Sequence, residues 1–167
     1  MVFRETNNVN IVHTTKLEKS KITHFFSNHW GSPQMVISSG IFQCDELDGF
    51  AALNDNGDII GLITTVISGD ECEIISLDSI EENKGIGTRL IQQLERTARE
   101  QDCRRVKLVT TNDNLHALQF YQKRGYRLVH IYPNAVEEAR RIKPEISLFA
   151  ENGIPICDEI LLEKSLD

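Results

Sequence analysis

Two glycines stand one residue apart in the run Glu82, Asn83, Lys84, Gly85, Ile86, Gly87, Thr88, immediately before an amphipathic stretch. Glycine at the start of a helix removes Cβ atoms, so successive backbone N–H groups can converge on an anion. The helix dipole adds about half a positive charge at the same end. Such a loop suits a pyrophosphate, whereas a lone G-x-G without further support would mean no more than a tight turn. Two nucleotide motifs fail on spacing: no G-x-x-x-x-G-K-[ST] string exists, and Leu90 stands where the dinucleotide fingerprint needs its third glycine. Just upstream, Glu73 and Asp78 put two carboxylates on one segment, and an acid at Asp78 could bind a substrate ammonium group. Five histidines, His13, His24, His29, His116 and His130, titrate in the range of a general base, but nothing in their spacing selects one.

The elements that must position these residues follow from periodicity. Residues 86–98 carry Ile86, Leu90, Ile91, Leu94 and Ala98 at helical spacing, with Arg89, Gln92, Gln93, Arg96 and Arg99 on the other face, which predicts a helix over residues 85–102. Residues 71–78 before it and 104–111 after it read as strands, and a crossover of that length allows parallel pairing. Asn56-Gly57 between the β-prone runs 50–53 and 59–67 predicts a hairpin. An extended run over residues 9–14 and a helix over 17–30, stopped by Gly31, Ser32 and Pro33, precede it. A second helix is expected over residues 112–124, with Gly125 as its left-handed cap, followed by a strand over 126–132, a short helix over 135–142 and a last strand over 159–164.

Composition narrows the class. The 167 residues, 40% hydrophobic and 26% charged, have the length of one domain spanning 1–167, with no repeat or low-complexity tract. No stretch approaches the ~20 apolar residues a bilayer requires, and the N-terminus lacks the pattern of a signal peptide, so the expected setting is cytoplasmic. A net charge of −7 argues against a nucleic-acid partner. Cys44, Cys72, Cys103 and Cys157 form no C-x-x-C pair and are expected to be buried free thiols, with no metal site.

About 30 residues beyond the glycine loop, Asn114, Ala117, Phe120, Tyr121, Lys123, Gly125 and Tyr126 complete the pattern N-x-x-A-x-x-F-Y-x-K-x-G-[FY]. By itself a Phe-Tyr pair on a helix reads as core packing. Together, in this order, the two segments resemble the GNAT acetyltransferase superfamily, whose phosphate loop runs Gln or Arg, two residues, Gly, one residue, then Gly or Ala; Glu82 departs from it at the first position. The resemblance implies an α/β fold of the α+β type: a mixed, mostly antiparallel sheet of six to seven strands, helices on both faces, and a splay between the fourth and fifth strands. It implies acetyl-CoA as donor, held by the backbone of Asn83, Lys84, Gly85, Ile86, Gly87 and Thr88, with Lys84, Thr88 and Arg89 as supplementary contacts. The backbone around Leu77, Ser79 and Ile80 would polarise the thioester carbonyl, Asn114 would position the pantetheine arm, and Tyr121 would protonate the departing thiolate.

By the same resemblance Glu73 occupies the place of the catalytic Glu of histone acetyltransferases. Its odd parity would align it with Ile75 and Leu77 on one sheet face. Asp78, at the splay, and Trp30, which opens the segment 30–42 bordering the acceptor pocket, are the substrate-binding candidates. The expected reaction is transfer of an acetyl group to a primary amine, small molecule or protein, by direct attack in a ternary complex, in a monomer or homodimer. The alternative is a catalytically silent CoA-binding regulatory or scaffolding module of the same fold.

Overall fold

The computed structural model describes residues 9–80 and 85–167. Seven strands form one sheet in the order β1 (Asn10–His13), β4 (Asp48–Leu53), β5 (Ile59–Ser68), β6 (Glu71–Ser79), β7 (Arg105–Thr111), β9 (Glu159–Ser165) and β8 (Arg127–Tyr132). All neighbours are antiparallel except β6 and β7, which the helix α2 (Ile86–Glu100) joins as a parallel crossover. The last strand therefore inserts between β7 and β8. The Asn-Gly turn behaves as its sequence dictates: Asn54 Oδ1 accepts from the N–H groups of Asn56 and Asp58, and Gly57 takes the left-handed conformation at φ 79°.

Each face of the sheet has its own core. On one face Ile86, Leu90, Ile91, Leu94 and Ala98 of α2 bury against Ile63, Cys72, Ile74, Val106 and Leu162, joined by Tyr121 and Tyr126. Each such aliphatic side chain contributes about 1.5–3 kcal/mol by leaving water. Gly61 sets how closely α2 lies on the strands, because a Cβ there would stand 2.6 Å from Ile86 Cγ2. On the other face Ile22, Phe25 and Phe26 of α1 (Lys19–Trp30) pack on Ala51, Leu62 and Ile75. Gly31 ends α1 at φ 80°, its N–H donating to Ser27 O at 3.1 Å. The segment after it forms a two-stranded hairpin, β2 (Gln34–Ile37) and β3 (Gly40–Gln43), whose turn reaches the sheet. The helices α3 (Leu115–Gln122) and α4 (Ala135–Ile142) complete the described chain.

One expectation is overturned by a single residue. Thr64 of β5 faces Ser76 and Thr65 faces Ile74, so Ile75 is an extra residue, a β-bulge, in β6. Strict alternation would put Glu73, Ile75 and Leu77 on one face. The bulge instead keeps Ile75 in the α1 core and turns Leu77 to the α2 core.

Cys44, Cys72 and Cys103 are buried and Cys157 half-buried, none of them in a disulfide. Among the described residues no helix is long and apolar enough to cross a membrane.

Candidate functional site

Strands β6 and β7 pair at three positions, Glu71 with Arg105, Cys72 with Val106 and Glu73 with Lys107, and then separate. The gap opens between the fourth and fifth strands of the sheet. Two cavities, each of about 310 Å³, meet in it and share Leu77, Asp78, Asn114, Ala117 and Tyr121. One lies on the α2 side and the other on the side of α1 and the β2–β3 hairpin.

On the α2 side the lining includes Gly85, Ile86, Gly87, Thr88, Phe120 and Arg124. Gly85 is the N-cap of α2 at φ 73°, and its place in the helix leaves the first turn without a side-chain cap. The N–H groups of Ile86, Gly87 and Thr88 accordingly have no acceptor among the described residues, which is the arrangement an anion completes. Arg124 lies beside them. Its guanidinium stacks 3.6 Å above the Phe120 ring, donates to Phe120 O at 2.7 Å, and donates through Nε to Thr88 Oγ1 at 3.0 Å. The Gly87 Cα makes this approach possible, since a Cβ there would meet the Phe120 ring at 3.2 Å. Sequence reasoning named Lys84 and Arg89 as supplementary cations and missed Arg124. The available signal was its place in the Lys123-Arg124-Gly125 end of the second motif. Asn83 and Lys84 lie outside the described residues.

The wall formed by β6 divides by backbone direction. Ile80 N–H donates to Ile60 O at 2.9 Å, and in an antiparallel pair N–H direction alternates. Leu77 and Ser79 therefore face the gap, whereas Ile80 faces β5, is half exposed and lies outside both cavities of the splay. Of the residues expected to bind the cofactor, Ile80 is thus one that the structure does not bring to the splay. Asn114 caps α3, its Oδ1 accepting from Ala117 N–H at 3.1 Å, which leaves its amide group without a bond among the described residues. Tyr121 is buried with its ring edge-on to Phe120 and Tyr126. Burial first, and the charge of Asp78 second, push its phenol above the ordinary value, with Arg124 opposing; the group stays protonated at neutral pH.

On the other side the structure brings together two residues 48 positions apart: Trp30 Nε1–H donates to Asp78 Oδ1 at 3.1 Å. Asp78 Oδ2 is buried and has no hydrogen-bond partner among the described residues. Burial raises its carboxyl from 3.8 to about 6, against the lowering effects of the Trp30 hydrogen bond and of His29. Glu73 is not brought to this gap. It sits where β6 and β7 are still paired, lies outside both cavities, and accepts a short hydrogen bond from Ser39 Oγ in the β2–β3 turn. Its carboxylate is engaged below the point of separation, so the structure does not bring Glu73, the residue expected to be catalytic, together with Asp78 and Tyr121.

Comparison with known proteins places this geometry. A family model described as the acetyltransferase (GNAT) family matches residues 19–126. Two proteins of Bacillus subtilis (strain 168), YdhI and YxbD, are each 60% identical over 94% and 95% of this chain and 98% and 99% of their own lengths. Among solved structures, an IAA acetyltransferase from Bacillus cereus ATCC 14579 superposes with a TM-score of 0.70 at 20% identity, covering 95% of this chain and 99% of the other. A GNAT family acetyltransferase from Elizabethkingia anophelis with acetyl-CoA bound gives 0.66 at 20% identity over 96% and 99%.

Proposed function

Because the chain belongs to the acetyltransferase (GNAT) family, we propose that it moves an acetyl group from acetyl-CoA to a primary amine by direct attack in a ternary complex. The observation that carries this is the junction of two cavities across the splayed strands, with a proton donor and a proton acceptor, Tyr121 and Asp78, lining both.

The described residues fit the donor. The uncapped N–H groups of Ile86, Gly87 and Thr88, together with the Arg124 guanidinium, hold the diphosphate; the amide of Asn114 and the outward backbone of Leu77 and Ser79 hold the pantetheine arm. Acetyl-CoA brings the acetyl group as a thioester, so that the amine nitrogen bonds to the carbonyl carbon as the C–S bond breaks and its electron pair leaves with sulfur. Leu77 N–H, aimed into the gap, polarises the carbonyl oxygen.

Asp78 supplies the base. An amine arrives protonated and cannot attack until one proton is removed, and Asp78, with its value near 6, is ionised at neutral pH, lines the acceptor cavity and has one oxygen without a hydrogen-bond partner among the described residues. Trp30 fixes the other oxygen and with it the carboxylate plane. The nitrogen loses two protons, one to Asp78 before attack and one to solvent as the amide forms; Tyr121 gives its phenolic proton to the departing sulfur and regains one from solvent, and Asp78 returns its proton to solvent, so that one proton is released per acetyl transferred.

The test combines binding with turnover. Acetyl-CoA at about one hundred times its dissociation constant should stabilise the protein by about 2.7 kcal/mol in a thermal-shift assay, whereas ATP and NAD should not. Tyr121→Phe should keep that stabilisation and lower amine-dependent thiol release by roughly 10²–10⁴-fold. Full turnover by the variant would remove Tyr121 from the mechanism, and stabilisation without turnover of any amine would favour a silent CoA-binding module.

A further inference from the structure

Opposite Asp78 in the acceptor cavity stands a second carboxylate that acetyl transfer does not use. Glu159, the first residue of β9, is 2% exposed and lines that cavity. Its side chain has one hydrogen bond among the described residues, Ser38 N–H to Oε2 at 3.0 Å, and none of the ion pairs among those residues includes it. A carboxylate taken out of water without a counter-charge is disfavoured, and the imbalance is relieved by a cation entering the same cavity.

Strand register places the two acids relative to one another. Glu73 is level with Lys107, and the bulge at Ile75 absorbs one position, so Asp78 is level with Thr111. Thr111 is in turn the partner of Glu159. Both acids lie on the face away from α2: Asp78 pairs with Leu62 of the α1 core, and Glu159 alternates with Ile160 and Leu162 of the α2 core. They are thus at one height on one face, two strand intervals apart, which is about 10 Å at the usual ~4.8 Å spacing and more where β6 and β7 separate. Thr111 stands between them on β7, and Met35, Ile37, Ile75 and Val109 supply the apolar part of the wall around it.

Within the acetyl-transfer reading given above, we propose that the acceptor is a diamine: a primary amine joined by a short apolar chain to a second cationic nitrogen. The reacting nitrogen sits at Asp78 and the distal ammonium pairs with Glu159. The distal nitrogen forms no bond and stays protonated, so the atom and proton balance of the transfer is unchanged. Glu159 acts as a binding residue that sets chain length and charge preference.

Thiol release by the full chain with acetyl-CoA tests this, using straight-chain diamines from diaminobutane to diaminooctane against monoamines of the same carbon number. The best diamine should exceed its monoamine in kcat/KM by roughly tenfold or more, the scale of one charge-assisted hydrogen bond, with an optimum in chain length. Glu159→Gln, which keeps an oxygen for Ser38 N–H, should bring that ratio toward one, chiefly through KM of the diamine. Monoamines equalling diamines in the unaltered protein, or a diamine preference that survives Glu159→Gln, would overturn the proposal while leaving acetyl transfer standing. Turnover of no amine, with acetyl-CoA still bound, would overturn acetyl transfer and the diamine with it.

Discussion

Replacing Asp78 with Asn should stabilise the protein while removing its activity. Folding raises this carboxyl from 3.8 to about 6, chiefly by burial. The folded state therefore holds a proton that the unfolded chain releases, and ionised Asp78 opposes folding. That penalty is absent below 3.8, grows between 3.8 and about 6, and is constant above. A difference of about 2.2 at about 1.36 kcal/mol for each pKa unit makes it up to about 3 kcal/mol at neutral pH. Asn carries no charge, retains an oxygen for Trp30 Nε1–H, and leaves a buried polar atom unpartnered just as protonated Asp does, so that smaller cost cancels in the comparison. For a chain of 167 residues the gain corresponds to about 6–12 °C in Tm. Urea unfolding of the two proteins at about pH 8 and about pH 4.5 reads it directly, because the variant's advantage should be near full at the first and much reduced at the second. Turnover should drop by roughly 10²–10⁴-fold, the usual contribution of a positioned base. An Asn variant no more stable than its parent at the higher pH, or equally more stable at both, would refute the claim that a desolvated charge sits at this position.

Two further outcomes follow from the same geometry. Trp30→Phe keeps the ring contact with Phe26 at 5.2 Å but removes the hydrogen bond to ionised Asp78. Such a bond is worth about 1.5–3 kcal/mol, so the acidic limb of kcat/KM should move upward from about 6 by roughly one to two pH units, and a limb that does not move would exclude Trp30 as the group that tunes the base. Arg124→Gln removes the guanidinium beside the α2 N-terminus and should weaken acetyl-CoA binding by roughly 10–100-fold in calorimetry, with a shallower dependence on salt; an unchanged Kd would take Arg124 out of the diphosphate site.

What the sequence disclosed depended on whether the signal was local. The α2 stripe, the Asn54–Gly57 turn and the Asn114 cap are written in contiguous residues, and each stands where its chemistry puts it. The β2–β3 hairpin is not: its strands are four residues each, Ser38-Ser39-Gly40 gives no Asn-Gly signal, and the hairpin is held by the sheet carboxylates Glu73 and Glu159 rather than by its own alternation. The insertion of β9 between β7 and β8 is likewise a matter of pairing that no local pattern encodes. The same distinction governs the site. Glycine loop and Tyr121 came from motifs, but the Trp30–Asp78 bond spans 48 positions and the Arg124–Thr88 bond 36, and burial of Glu159 depends on a hairpin 121 positions away.

The bulge at Ile75 ties these points together. Without the extra residue, alternation would turn Asp78 into the α2 core and Leu77 toward Trp30, so that a carboxylate would face the aliphatic packing of Ile63 and Leu90. With it, the same six residues present an apolar side chain to α2 and an acid to the acceptor. A bulge also increases local twist, and it falls two positions past Glu73, where pairing with β7 ends. One inserted residue thus coincides with the opening of the gap and places the Asp78 carboxylate in its lining. Strand parity read from sequence alone had to align Glu73 with Ile75 and Leu77 on one face, because a bulge is a property of two paired strands and β6 by itself carries no mark of where its partner falls out of step.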